Sequence, residues 1–352
     1  MRKDRRGGGR NFGGRRESRG PKGWKKNTRR ACYYVPRDTQ DALGVSNPTA
    51  EPVNFEKVQN ISLLLDKFAP FSSEKGDVGT CNPGRLKVSG NVLKMLLGEI
   101  RVPSTAVRLY RGYFTRYQEL LTSVGAKTGR FTLKSRLVVG LGDESVYETS
   151  IRLLRNYGVP YIPGSALKGV TRTWAVEMMA EMLEGTEGFD GDFYRRAGQV
   201  QRLLAEGNFK KFPETLEVAP SRELEEFLDV FGTDGNPREV AEKLIELFGT
   251  IKERGGAIFL DAFPEPPEGN GDWPIFDWDI MNPHYGPYYQ GDRAPGDWHS
   301  PVPVIFLTVR AETPFHFAVA GEMKEIAWNL LRLALRHHGV GAKTSLGYGR
   351  FE

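Results

Sequence analysis

Apolar residues fall at helical spacing in two early stretches. Over 54–70 they are Ile61, Leu64, Leu65 and Phe68, and over about 104–123 they are Val107, Tyr110, Phe114, Tyr117 and Leu121. Ser104 stands where the second helix needs an N-cap. The period then shortens. R-F-T-L-K-S-R-L-V-V at 130–139 reads as a strand carrying Phe131, Leu133, Leu137 and Val139, and G-L-G-D at 140–143 turns it. Y-I-P-G-S at 161–165 leads into a helix over about 166–184, with Leu167, Val170, Trp174, Met178 and Met182 as its buried stripe. Residues 185–255 read as a polar, mostly helical insertion. A strand is predicted at 257–263, a Pro-, Gly- and aromatic-rich loop at 264–301, and strands near 302–311 and 314–320. A last amphipathic helix over 322–338 turns Ile326, Leu330 and Leu333 to one face.

Without the insertions at 185–255 and 264–301, the order from 130 onward is strand, helix, strand, strand, helix, strand. That is the split βαβ pattern of an α+β, ferredoxin-like fold, the frame that RNA-recognition (RRM) domains also use. It predicts three parts: a tail at 1–30, a helical N-terminal extension at 31–129 packed on the core, and the ferredoxin-like domain at 130–352. The order hosts many functions and settles none.

Charge divides the chain unevenly. Residues 1–30 hold 13 Lys/Arg against Asp4 and Glu17, a net +11, so the other 322 residues sum to −6 against a total of +5. The basic pI thus belongs to an Arg/Gly-rich tail with almost no apolar content, predicted to be disordered and to attract RNA or simply to solubilise. Cys32 and Cys81 stand in unrelated settings, which argues against a disulfide framework and fits a reducing, cytoplasmic location. No apolar run reaches membrane-spanning length.

Two stretches carry candidate binding chemistry. In the first, Gly339, Gly341, Gly347 and Gly349 alternate with Lys343, Thr344, Ser345, Tyr348 and Arg350. Glycines let backbone N–H groups approach a phosphate, the cations and hydroxyls bind it, and Tyr348 offers a stacking face. The pattern also fits a helix C-cap followed by a tight turn. It is not a nucleotide loop, because Ala342 replaces the glycine a Walker lysine needs and Thr344 replaces the third Rossmann glycine. The second stretch runs from Gly164 and Ser165 to Lys168 and Arg172, two cations on one face near a helix N-terminus, where an anion is favoured. The same residues fit an ordinary capped helix. In a ferredoxin-like fold both helices pack on the same sheet face, which allows the two stretches to form one groove.

Catalytic constellations are thin. The histidines are His284, His299, His316, His337 and His338, with no metal-ligand spacing. His337 and His338, just before the glycine-rich loop, are the candidates for acid–base RNA cleavage, although a helix C-terminus favours histidine anyway. Asp277 and Asp279 in D-W-D could hold a metal, but their aromatic neighbours favour interface packing. No catalytic residue, cofactor or metal site is assigned.

P-G-S-A-L-K-G at 163–169, joined to G-V-G-A-K-T-S-L-G-Y-G at 339–349, resembles the RAMP superfamily of CRISPR-associated RNA-binding proteins. D-I-M-N-P-H-Y-G-P-Y-Y at 279–289 and P-V-P-V-I-F-L at 301–307 narrow the resemblance to a backbone-type subunit of the Cmr, or type III-B, effector complex. It covers about 130–352 and leaves the basic tail aside. It implies a non-catalytic subunit that binds guide RNA (crRNA) toward its 3′ end. It implies as partners a nuclease backbone subunit, a small subunit and a neighbouring RAMP subunit, with target RNA in the assembled complex. It also implies that the long aromatic loop at 273–298 is an assembly surface. Two other functions fit less well. RAMP endoribonucleases that process precursor guide RNA usually carry an early histidine, and residues 1–120 have none. An RNA chaperone would depend wholly on the tail.

Overall fold

The computed structural model describes residues 32–33, 35–44, 58–68, 71–73, 86–88, 100–147, 149–215, 219–232, 235–282, 286–289, 291–292, 294, 296, 298, 301 and 303–352. The basic tail, Cys81, His284, His299 and parts of 283–302 lie outside them. Two short helices, α1 (Arg37–Ala42) and α2 (Ile61–Asp66), precede an antiparallel pair, β1 (Phe71–Ser73) and β2 (Leu86–Val88). Ile61, Leu64, Leu65 and Phe68 are all buried, as their spacing predicts. Cys32 is disulfide-bonded, contrary to the expectation of unrelated thiols; pairing across the fold is invisible to linear spacing.

Helix α3 spans Ser104–Ser123 and buries the predicted stripe from Val107 to Leu121. Its start differs from expectation. Ser104 is the first helical residue and its side chain caps nothing; its N–H donates instead to Asp272 Oδ1 at 2.9 Å, so a residue from the distant aromatic loop supplies the cap. The strand expected over 130–139 is shorter and earlier. β3 is Lys127–Thr132, and 133–138 continue only through isolated contacts to Phe351, Val309 and the C-terminal loop.

A small hairpin, β4 (Leu153–Leu154) and β5 (Val159–Pro160), feeds α4 (Gly164–Met182), where Leu167, Trp174, Met178 and Met182 are buried. The insertion is helical as predicted, with α5 (Phe193–Glu206), α6 (Arg222–Phe231) and α7 (Pro237–Phe248). Asp192, Ser221 and Asn236 cap their N-termini through side-chain oxygens, and Gly207, Gly232 and Gly249 follow their ends. β6 (Ile258–Phe259) and β7 (Phe263–Pro264) split the strand expected at 257–263. The long loop after it contains an unpredicted strand, β8 (Phe276–Met281), and a one-turn helix, α8 (Gly286–Tyr289). Then come β9 (Val304–Val309), β10 (Pro314–Ala320) and α9 (Lys324–His337).

β10 is central. It pairs antiparallel with β3, setting Phe315 opposite Phe131, and on its other side with β6 and β7, setting Val319 opposite Phe259 and His316 opposite Phe263. Leu133, just past β3, bridges Phe351, so the order across the sheet is Phe351, β3, β10, then β6 and β7. β9 does not join this sheet; it pairs with β8 as a separate hairpin.

The central strand β10 is covered on both faces. On one, Phe131 stacks on Trp328 of α9, and Phe315 and Phe317 pack edge-on against Phe351. On the other, α3 lies across the strands, with Phe114 against His316, Tyr117 against Phe263 and the Tyr110 hydroxyl donating to the Pro264 carbonyl. Burial in this layer lowers the proton affinity of His316 despite nearby Glu265. The β10 and β7 part of the face on which an RRM stacks bases is therefore covered by α3, whereas Thr128 and Arg130 on the β3 part stay exposed.

Candidate nucleic-acid interface

The glycine-rich loop is a stiff projection stitched onto residues 134–138. Val340 N–H donates to the Gly349 carbonyl (3.0 Å), Ala342 N–H to that of Val138 (2.8 Å), Gly349 N–H to that of Arg136 (2.8 Å) and Lys134 N–H to that of Arg350 (2.9 Å). Gly339, Gly341, Gly347 and Gly349 all have positive φ. A Cβ on Gly341 would run into the Val138 carbonyl, and one on Gly349 into that of Val340. These two glycines are thus required by the protein's own backbone packing, and Gly339 ends α9 as a C-cap would. Only Gly347 has open space around it. The turn explanation accounts for more of the glycines than phosphate approach does.

Past this stem, residues 344–346 make one 3₁₀ turn bounded by Lys343 (φ 63°) and Gly347 (φ 90°), both left-handed. Lys343, Thr344 and Ser345 have no backbone acceptor for their N–H groups among the described residues. Lys343 Nζ lies 5.4 Å from the centre of the Phe306 ring, a cation–π distance. Ser345, Leu346 and Gly347 are exposed. Arg350 reaches back to the Arg336 carbonyl at the end of α9.

Tyr348 is not the free stacking face its position suggests. Its hydroxyl donates to Asp279 Oδ2 at 2.6 Å and its ring meets Phe306 edge-on. Burial, then this hydrogen bond, pushes the phenol up to about 12. Arg136 completes the brace, with Nη1 2.7 Å from Asp279 and Nε 3.0 Å from Asp277. Burial raises the Asp279 carboxyl, but the Tyr348 hydroxyl, the Ile280 N–H and Arg136 outweigh it and hold it below the ordinary value. The D-W-D carboxylates therefore serve a guanidinium, and no metal-binding cluster occurs among the described residues. Sequence reasoning missed Arg136, which stands with Lys134 as one of two charges in the stretch 131–139.

The second stretch is committed to structure more than expected. Gly164 N–H donates to Asp261 Oδ1 at 2.7 Å, so a carboxylate already caps the start of α4, and a Cβ at Gly164 would strike the Phe259 carbonyl. Lys168 Nζ donates to the Phe248 carbonyl at the end of α7. Ser165 is exposed and Arg172 half-buried. This helix start packs on β6 and the Asp261 segment, whereas the loop packs on 134–138 at the opposite edge of the sheet, so the expected single groove is not formed by shared contacts.

His337 is 15% exposed, with Nε2 3.1 Å from Glu226 and Nδ1 3.4 Å from Glu223, and its ring stacks on Trp174. His338 Nδ1 lies 3.2 Å from Glu177. Both histidines tie α9 to neighbouring helices.

A family model described as the RAMP superfamily matches residues 130–352. The chain is also 51% identical over 261 residues to the CRISPR system Cmr subunit Cmr6 of Pyrococcus furiosus, covering 72% of this chain and 75% of that protein. The chain belongs to the Cmr6 family of the RAMP superfamily. The resemblance carried by P-G-S-A-L-K-G and the glycine-rich C-terminus is thereby borne out. Cmr6 of Saccharolobus solfataricus is 22% identical over 248 residues, which is 68% of this chain and 63% of that protein. Among solved structures, the crystal structure of Cmr6 from Pyrococcus furiosus matches with a TM-score of 0.46 and 51% identity, covering 64% of this chain and 97% of that one. A cryo-EM structure of the type III-B Cmr-beta complex bound to cognate target RNA matches with a TM-score of 0.45 and 21% identity, covering 74% and 69%. Among the described residues no helix of this Cmr6-family chain is long and apolar enough to cross a membrane.

Proposed function

We propose that this chain is a non-catalytic RNA-binding subunit of a type III-B CRISPR interference complex, gripping guide RNA toward its 3′ end and joining neighbouring subunits. Membership of the Cmr6 family supports the assembly role. The order Phe351, β3, β10, β6/β7 with α4 and α9 between strands supports a ferredoxin-like core carrying insertions. The loop at 339–350 carries the RNA assignment: a rigid stem holds Lys343, Ser345 and Arg350 around exposed residues 345–347. Ser165 and Arg172 are secondary contacts in this proposal. That both His337 nitrogens face carboxylates supports a non-catalytic role.

The test is guide RNA binding and cleavage by the purified chain, with and without magnesium. The expected outcome is intact RNA, with affinity falling roughly tenfold or more in Lys343→Ala/Arg350→Ala and less after removal of residues 1–30. Specific cleavage abolished by His337→Ala or His338→Ala would make the chain a processing nuclease instead.

A further inference from the structure

Helix α3 turns one face to β10 and β7 and leaves the other in solvent. On that outer face Leu109 is 62% exposed and Leu120 50%. Arg108, Gly112, Arg116 and Leu120 follow one another at four-residue intervals, so they form a single row along the helix, with Leu109 beside it. Leu109 and Leu120 stand about 16 Å apart along the axis. Gly112 breaks the row in the helix interior, where glycine costs about 1 kcal/mol against alanine. Nothing among the described residues requires a glycine there: a Cβ would meet only Arg116 Nη1, at 3.6 Å, an ordinary contact. The gap is a notch in a ridge, of the kind into which the ridge of another helix packs.

This face is cationic on an acidic body. Residues 31–352 sum to −6, yet α3 holds Arg108, Arg111 and Arg116 against Glu119, a net +2. Arg111 donates to the carbonyls of Pro267 and Gly269, which leave its charge uncompensated. Arg108 and Arg116 are exposed and have no carboxylate partner among the described residues. A depression lined by Ser104, Thr105, Val107, Arg108, Arg111 and Asn270 opens beside the first turns, so a carboxylate entering it meets two guanidiniums. RNA would satisfy the arginines but leave both leucines in water, and burying each leucine is worth about 1.5–3 kcal/mol. A second copy of α3 would set arginine against arginine. An extended strand finds no free backbone edge on a helix. A helix with apolar residues and carboxylates on one face uses the whole row.

We propose that the outer face of α3 docks an acidic, amphipathic α-helix of a neighbouring subunit, the two helices crossing at Gly112. The partner sets apolar side chains over Leu109 and Leu120 and carboxylates against Arg108 and Arg116, which lie about two turns apart. The docking site rests on the assembly part of the proposed function and is independent of the RNA assignment of the glycine-rich loop.

The experiment mixes the full chain with the other Cmr subunits of its host, each purified separately, and measures which of them bind it. Gly112→Leu fills the notch, and Arg108→Glu/Arg116→Glu reverses the charge. Each is expected to weaken binding of the same one subunit roughly tenfold or more. The urea midpoint of Gly112→Leu should not fall, because leucine is the better helix former, and its guide RNA affinity should match wild type. A benzophenone photo-crosslinker at position 109 or 120 should join that subunit at a helix bearing Asp or Glu. Full binding of every subunit by both variants, or crosslinks that map to RNA or to a second copy of this chain, overturns the docking site and leaves the assembly role intact. Wild type that binds no other subunit overturns both. Loss of RNA affinity in Arg108→Glu/Arg116→Glu with subunit binding unchanged would make the face an RNA contact, and the docking site would again be wrong.

Discussion

Tyr348 shows how far a single residue's role depends on its partners. Among glycines and cations it reads as a stacking face, yet its hydroxyl is spent on Asp279 and its ring on Phe306. Tyr348→Phe keeps the ring and deletes the donor. We expect a loss of about 1 kcal/mol, read from the urea midpoint. The RNA affinity of this variant should fall far less than that of Lys343→Ala, because the phenylalanine leaves the cations in place. The Tyr348–Asp279 bond joins residues 69 apart in sequence, and Arg136 reaches Asp279 across 143. No motif or period reports a pair at such separations. Lys343 and Arg350 stood out in the sequence as cations in a glycine-rich stretch, but their contacts with Phe306 and the Arg336 carbonyl did not.

At the scale of elements, the loop's glycines were visible and their reasons were not. Gly341→Ala and Gly349→Ala each combine a left-handed φ with a Cβ that meets a carbonyl of the protein itself. Each is expected to cost well over the roughly 1 kcal/mol of the backbone conformation alone. Gly347→Ala, with nothing near its Cβ, should cost about that conformational amount and no more. Denaturant unfolding of the three variants side by side checks the ranking. Helix α3 gives the complementary lesson. Its five-residue stripe fixed its extent, because an amphipathic helix is written locally, but its cap came from Asp272, which also binds Arg101.

For the whole molecule, the bracket between α6 and α9 links the helical insertion to the root of the glycine-rich loop. The hydrogen bond from His337, with the charges of Arg336, His337 and Arg222, holds the Glu226 carboxyl below its ordinary value of 4.5. A carboxylate depressed in the folded state contributes stability that is present above its unfolded value and lost as pH falls through the folded one. Wild type should therefore lose stability below about pH 4.5. Glu226→Gln should be less stable at pH 7, with the gap closing in that acid window, as measured by urea midpoints at pH 7 and pH 3. The two-sided covering of β10 belongs to the same scale. The α+β order was legible, but nothing in it said that α3 would cross the face opposite α9.

What the sequence determined by itself was local or tied to contiguous motifs. It settled the main helix periods, the two strands after residue 302, the helical character of 185–255 and the RAMP family, because each is written within a few turns of chain. Only the tertiary structure decided which strands pair, that β9 joins β8 although β10 follows it at once, that Cys32 is bonded, and that D-W-D serves Arg136. It also decided that two of the loop's glycines answer to the protein's own carbonyls. The physical reason is common to all of these. Hydrogen bonds, ion pairs and close packing act over a few ångströms between groups far apart along the chain, and their partners exist only once the chain has folded.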